Sequence, residues 1–178
     1  MVSENATQLL ARVRLLALDV DGTLTDGGVY YDDLGRESKR FHIQDGLGIV
    51  AAQRVGLQIA WITGRESSLV ERRARELGVS WLRQGVRDKA TALRVLSEES
   101  GVSPDAIAFM GDDWNDLPAL QTAGVALAPA NAVPEVRARV HWVTERAGGS
   151  GAVREAIEMI LRAQGTYEAA LAAYLDPS

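Results

Sequence analysis

Two acids one residue apart, Asp19 and Asp21, follow the apolar run Leu15-Leu16-Ala17-Leu18 and are succeeded at once by Gly22 and Thr23. An uninterrupted apolar run suits a strand covered on both faces, so the acids emerge at its carboxyl end, where open parallel sheets bind ligands. A hydroxyl and an approachable glycine amide beside paired carboxylates suit phosphate oxygens. Three further groups follow in the chain. Trp61-Ile62-Thr63-Gly64-Arg65 puts Thr63 at the end of a second apolar strand, Lys89 comes next, and Gly111-Asp112-Asp113-Trp114-Asn115-Asp116 directly follows the apolar Ile107-Ala108-Phe109-Met110. Each pattern is common by chance. Their order, with three of them at strand ends, makes the set specific.

Such groups meet only if the strands that carry them end together. Strands are expected near 15–20, 58–63, 81–84, 107–111, 125–128 and 141–144, and helices near 46–55, 67–77, 88–100, 115–122, 133–138 and 152–163. That alternation is a doubly wound, mainly parallel α/β sheet. Gly56, Gly78, Gly101 and Gly124 fall where helices should stop in left-handed caps, and Asp45 before Gly46 reads as a helix N-cap. Residues 28–42 break the pattern as an inserted β-hairpin around an Asp-Leu-Gly turn, with Val29, Tyr31 and Phe41 in need of cover. The short connections on either side of the second motif leave no room for a cap domain over the site. Water then reaches the site unless a neighbouring subunit supplies a wall.

Length and composition agree with one domain over 1–178: 178 residues, 47% hydrophobic, can bury a sizeable core. With 19 basic and 24 acidic residues the net charge is −5, and no basic block tracks a nucleic acid backbone. The absence of cysteine excludes disulfides and thiolate sites, and no run approaches membrane-spanning length. The first seven residues lack the regions of a signal peptide, so a cytoplasmic location is expected. Arg72, Arg73 and Arg75 read as a solvated helix face, His42 and His141 as satisfied structural histidines, and Trp114 as packing beneath its loop.

Asp19-Val-Asp21-Gly22-Thr23 resembles the first motif of the haloacid dehalogenase-like phosphohydrolases, and Thr63, Lys89 and Gly111–Asp116 resemble the other three. The resemblance implies that Asp19 is the nucleophile of an aspartyl-phosphate mechanism and Asp21 the general acid and base. Asp19, the backbone carbonyl of Asp21, and Asp112 would hold Mg²⁺, a cation suited to hard oxygen donors. Asp113 and Asp116 would hold the metal's waters or Lys89. Lys89 would pair with the nucleophile and the phosphoryl oxygens, which Thr63 and the Gly64 amide would also meet. Gly22, Gly64, Arg65 and Asp45 are the residues expected to meet substrate or phosphate.

Phe41-His-Ile-Gln-Asp-Gly-Leu-Gly-Ile49, Thr63-Gly-Arg-Glu-Ser67 and Gly148-Gly-Ser-Gly-Ala-Val-Arg-Glu155 narrow the likeness to the capless 3-deoxy-D-manno-octulosonate 8-phosphate phosphatases, over residues 14–165. This implies a keto sugar acid phosphate as substrate, a place in lipopolysaccharide biosynthesis, and a homotetramer assembled through the hairpins. Arg65 suits the substrate carboxylate, which a guanidinium binds bidentately. The glycine run 148–151 is expected near the site. The tail 166–178 ends with an acid and no cation, and reads as a short amphipathic helix packing through Leu171, Tyr174 and Leu175. Competing readings are a nonulosonate 9-phosphate phosphatase, a broad small-molecule phosphatase, and a non-catalytic oligomeric binding or regulatory protein. The last predicts erosion of Asp19, Asp21, Lys89 or Asp112, and all four are present. A mutase would need a moving cap that no segment is long enough to form.

Overall fold

A computed structural model describes residues 4–175. In chain order its elements are α1 (Glu4–Ala11), β1 (Leu15–Leu18), β2 (Tyr30–Tyr31), β3 (Glu37–Ser38), α2 (Ile43–Arg54), β4 (Gln58–Ile62), α3 (Ser68–Glu76), β5 (Trp81–Arg83), α4 (Lys89–Ser100), β6 (Ile107–Met110), α5 (Leu117–Thr122), β7 (Val125–Ala128), α6 (Pro134–Arg137), β8 (Trp142–Val143), α7 (Ala152–Ala163) and α8 (Tyr167–Leu175). Single 3-10 turns occupy Pro104–Ala106 and Trp114–Asp116.

Six strands form one parallel sheet in the order β5-β4-β1-β6-β7-β8. The chain leaves β1 for β4 on one side and later returns to β6 on the other, which opens a crevice at the carboxyl ends of these strands. Leu18 is level with both Trp61 and Met110, so the residues that follow the three strands emerge side by side. β1, β6 and β7 are buried along their whole length, as their apolar runs require. Alternate residues feed two cores. Leu16, Leu18, Ile59, Trp61 and Met110 meet Ile49 of α2 and Ile157 and Ile160 of α7, while Leu15, Ala17, Ile62, Ile107 and Phe109 meet Leu93 and Leu96 of α4 and Leu120 of α5.

The expected strands and helices are all found, with shifted ends. β1 stops at Leu18 because the chain turns over the Val20 carbonyl, which accepts from the amides of Leu24 and Thr25 at 2.9 and 3.0 Å. α1 had no counterpart in the sequence reading. β2 and β3 pair antiparallel as a separate two-stranded sheet, with Tyr30 opposite Ser38 and Tyr31 opposite Glu37. Asp32 builds their turn by accepting from the amides of Leu34 and Arg36 at 3.0 and 2.9 Å. Among the described residues, the β1–β4 connection holds this hairpin and α2, and the β4–β5 connection holds α3.

Several local expectations are corrected. α2 begins at Ile43 with His42 as its N-cap, so Asp45 lies inside the helix and caps another one. Its carboxylate accepts from the amides of Gly151 and Arg154, at 3.3 and 2.7 Å, across the start of α7. Gly124 lacks the positive φ of Gly56, Gly78 and Gly101. It is needed because a Cβ there would collide with the Asp105 backbone. Trp114 is 63% exposed and does not pack beneath its loop. Its indole N–H donates to Glu135 at 3.3 Å. His141 is satisfied, its Nδ1 accepting from the Ala126 amide at 2.9 Å. His42 is not, since among the described residues its buried Nδ1 has no hydrogen-bond partner and Asp45 lies 3.8 Å away. In α8 it is Ala170 that is buried, while Leu171, Tyr174 and Leu175 remain exposed. The Arg54 guanidinium lies 5.0 Å from the Tyr174 ring. The terminal acid, Asp176, and residues 1–3 of the opening segment expected to lack signal-peptide regions lie outside the described residues. Phe41 finds its cover within the chain, stacked on Trp61 at 6.1 Å, but Val29 and Tyr31 are exposed. Arg72, Arg73 and Arg75 pair along α3 with Glu76 and Glu71, a charged face as expected.

Candidate active site

The β1, β4 and β6 ends deliver Asp19, Thr63 and Asp112 to one crevice, and the start of α4, which follows β5, brings Lys89. Asp19 is held in line by its amide, which donates to the Met110 carbonyl at 2.9 Å. Lys89 is the first residue of α4, where Asp88 caps the helix by accepting from the Thr91 amide at 3.0 Å. The lysine side chain is 1% exposed, and its Nζ donates to Asp19 Oδ1 and Asp116 Oδ1, both at 2.6 Å.

Asp116 is a linchpin of the fourth-motif loop. Its other oxygen, Oδ2, accepts from the amides of Asp112 and Asp113, at 3.0 and 3.2 Å. Asp113 is exposed and caps the 3-10 turn, accepting from the Trp114 amide at 2.7 Å. Asp112 Oδ1 accepts from the Thr23 hydroxyl at 3.1 Å. Gly22 reaches a φ of 95° here, and a Cβ on it would collide with the Asp112 carboxylate. Both residues after the acids therefore serve the loop. The Gly22 amide, expected to be open to phosphate, instead donates to Thr25 Oγ1 at 3.2 Å.

Carboxyl oxygens of Asp19, Asp112 and Asp116 lie within 4.8 Å of one another, against a single buried ammonium. Burial, and then the nearby Asp116, push the Asp19 carboxyl well above the usual carboxylate range. The same two causes raise Asp112 to about 6, with the Thr23 hydrogen bond pulling the other way. Burial works against the charge on Lys89, but the carboxylates of Asp19 and Asp116 overcome it and hold the lysine protonated. The cluster thus carries more negative charge than its own cation offsets, and its hard oxygens suit a divalent cation such as Mg²⁺.

Asp21, Thr63 and Arg65 line the mouth. The Thr63 hydroxyl donates to Asp21 Oδ2 at a long 3.5 Å and accepts from the Arg65 amide at 3.3 Å. Gly64 is exposed at the β4 end. Asp45, counted among the substrate-facing residues from sequence, is buried against α7 and makes no hydrogen bond to this cluster among the described residues. The glycine run does approach the site: the Gly149 amide donates to the Thr23 carbonyl at 3.2 Å, and Gly148 abuts the Gly22 carbonyl too closely for any side chain.

Three contributors escaped the sequence reading. Asn131 donates from Nδ2 to the Gly22 carbonyl at 3.1 Å and accepts from the Gly148 amide at 2.6 Å, tying the two loops together. Lys39 pairs with Asp21, and Glu37 pairs with Arg65 at 2.7 Å. Their alternate spacing in a strand was the available signal.

Comparison with known proteins gives a consistent result. Residues 82–157 match the haloacid dehalogenase-like hydrolase family. The 3-deoxy-D-manno-octulosonate 8-phosphate phosphatase of Escherichia coli K12 is 41% identical over 169 residues, 95% of this chain and 90% of that protein. The crystal structure of the phosphatase of the same name from Moraxella catarrhalis, in complex with magnesium ion, phosphate ion and the sugar acid, superposes with a TM-score of 0.94 at 42% identity, covering 97% of this chain and 99% of that one. The cobalt-bound phosphatase from Haemophilus influenzae superposes with a TM-score of 0.90 at 38% identity, covering 95% and 100%.

Proposed function

Because this chain belongs to the haloacid dehalogenase-like hydrolases, and is a phosphatase of that family, we propose that it hydrolyses 3-deoxy-D-manno-octulosonate 8-phosphate with the aid of Mg²⁺. The observation that carries the reading is the buried cluster of Asp19, Asp112 and Asp116 around Lys89 at the end of β1. Asp19, Asp112 and the backbone carbonyl of Asp21 would hold the metal. When bound, the ion supplies positive charge that offsets the build-up on the transferring phosphoryl group. Asp116 is already committed to Lys89 and to two loop amides, so its part is to hold the other groups in place.

Asp19 acts as the nucleophile. Lys89 holds one of its oxygens, and a carboxylate oxygen attacks phosphorus as the bond from phosphorus to the ester oxygen breaks. The proton that the leaving oxygen needs comes from Asp21. In the second half, Asp21 takes a proton from water whose oxygen attacks phosphorus, and the Asp19 carboxylate is released with inorganic phosphate. Lys89, the Thr63 hydroxyl and the Gly64 amide meet the equatorial oxygens. Arg65, 44% exposed and poised at the mouth, is suited to the substrate carboxylate.

The hairpin exposes four large side chains within six residues, Val29, Tyr30, Tyr31 and Leu34. We read it as the contact through which four copies assemble, each closing a neighbour's open site. Sedimentation velocity of the protein and of Leu34→Asp tests this, with a tetramer and a smaller species as the expected pair.

The test of function is inorganic phosphate release, with and without Mg²⁺, from the octulosonate 8-phosphate, nonulosonate 9-phosphates, hexose phosphates and nucleotides, with Asp19→Asn as control. Selective, Mg²⁺-dependent turnover of the octulosonate ester is expected. Even activity across the panel overturns the substrate, and no Mg²⁺-dependent release from any ester overturns the mechanism.

A further inference from the structure

Tyr31 lies opposite Glu37 in the hairpin ladder, and Lys39 follows just past the end of β3, two residues after Glu37. These side chains are turned toward the site. Glu37 Oε1 accepts from Arg65 Nη2 at 2.7 Å and lies 3.5 Å from Lys39 Nζ, while Oε2 accepts from the Ser67 hydroxyl at 3.2 Å. Tyr31 Oη accepts from the same Arg65 nitrogen at 3.5 Å. Lys39 Nζ donates to Asp21 Oδ1. Its side chain is 4% exposed, against 29% for Asp21, so this ammonium is covered by the protein and held between two carboxylates. A lysine of that kind differs from a solvated surface lysine, whose pairing contributes little.

Among the described residues, Asp21 has little else to fix it. Apart from Lys39, its side-chain partner is the Thr63 hydroxyl at 3.5 Å, at the limit of a hydrogen bond. A carboxyl that must deliver a proton needs its donor oxygen within about 2.6–3.2 Å of the leaving oxygen. With Lys39 engaging Oδ1, the less engaged oxygen is Oδ2, the one toward Thr63 and the β4 end.

We infer that Lys39 is the positioning residue for Asp21, steering its proton to the ester oxygen, and that Glu37 anchors Lys39 while aligning Arg65. The inference rests on the reading of Asp21 as the general acid. In the step concerned, the bond from Asp19 to phosphorus forms and the bond from phosphorus to the ester oxygen breaks. The proton of Asp21 passes to that oxygen, and Lys39 takes no part in the transfer. The consequence is selectivity for the leaving group: an alkoxide depends on this proton, and 4-nitrophenolate scarcely does.

The experiment compares kcat on the octulosonate 8-phosphate and on 4-nitrophenyl phosphate for the wild type, Lys39→Met, Lys39→Arg and Asp21→Asn, each checked by thermal melting. Lys39→Met is expected to lose about 100-fold or more on the sugar ester, with a loss at least about tenfold smaller on the aryl ester. Lys39→Arg, which keeps the charge, is expected to recover most of the sugar-ester rate. Should Lys39→Met fail to fold, Lys39→Gln takes its place: a loss weighted to the sugar ester supports the assignment and an even one overturns it. Equal losses on both esters for Lys39→Met, or none, overturn the positioning role. If Asp21→Asn is selective and the Lys39 variants are not, Lys39's part alone fails. If Asp21→Asn itself loses both esters alike, the reading of Asp21 fails and the inference with it.

Discussion

Asp112→Asn should make the metal-free protein more stable at neutral pH while abolishing turnover. Asp112 is half-buried beside Asp116 and Asp19, and its carboxyl is pushed up to about 6 from an ordinary 3.8. A folded-state value above the unfolded one means that the fold favours the proton. Below about pH 4 the group is neutral in both states and does not oppose folding. As pH rises through 6, the folded state must hold the ionised carboxylate, and stability on the order of 3 kcal/mol is lost. Asparagine never ionises, and its amide oxygen can still accept from the Thr23 hydroxyl. For a domain of this length, each kcal/mol moves Tm by about 2–4 °C. In EDTA the variant should therefore melt roughly 6–12 °C above the wild type at pH 7.5, and the two should converge near pH 4. Saturating Mg²⁺ should raise the wild type and leave the variant almost unmoved. Calorimetry across that pH range checks this. A variant that melts below the wild type in EDTA at pH 7.5, or a gap that persists at pH 4, would refute the charge-crowding argument.

Other perturbations separate support from chemistry. Asp45→Ala uncaps α7 and should cost about 1–2 kcal/mol in urea unfolding, with kcat changed less than about threefold. Asn131→Ala frees the Gly22 carbonyl and the Gly148 amide; a loss of about 1–3 kcal/mol is expected, together with a fall in kcat, because the loop carrying Asp19 and Asp21 loosens. Arg65→Lys keeps the charge but loses the bidentate fork, so KM for the sugar acid ester should rise about tenfold or more while kcat changes little. Steady-state kinetics on the same panel of esters measures the last two.

The chemistry-bearing strand ends were legible because nothing beyond local pattern is needed to find them. An apolar run followed by acids says where a buried strand stops, and three such ends in one parallel sheet must neighbour one another. Asp45 shows where that logic fails. Next to a helix start it looks like a local cap, yet its partners are 106 and 109 residues away in the chain, and only the packing of α2 on α7 brings them together. Asn131 joins residues 22 and 148 for the same reason. Glu37 and Lys39 were within reach, since alternate residues of an extended segment share a face. Which face meets the site depends on how the hairpin folds back, and composition is silent on that. The exposure of Trp114 is equally illegible, because a large apolar residue in a functional loop reads as buried until its neighbours are known.

The two-stranded sheet of the hairpin shares no ladder with the six-stranded one. The acids and the residues that surround the mouth are thus carried on separable parts of the molecule. The acids that break the ester are rooted in strands whose every residue is buried, where substitution disturbs a core. Tyr31 and Glu37 stand on an appendage with no core of its own, so mutation there can sample new substrates at little risk to folding. A lineage, or a combinatorial library randomised at Tyr31 and Glu37 with Lys39 retained, could change which phosphate ester is recognised while inheriting the strand-borne acids intact.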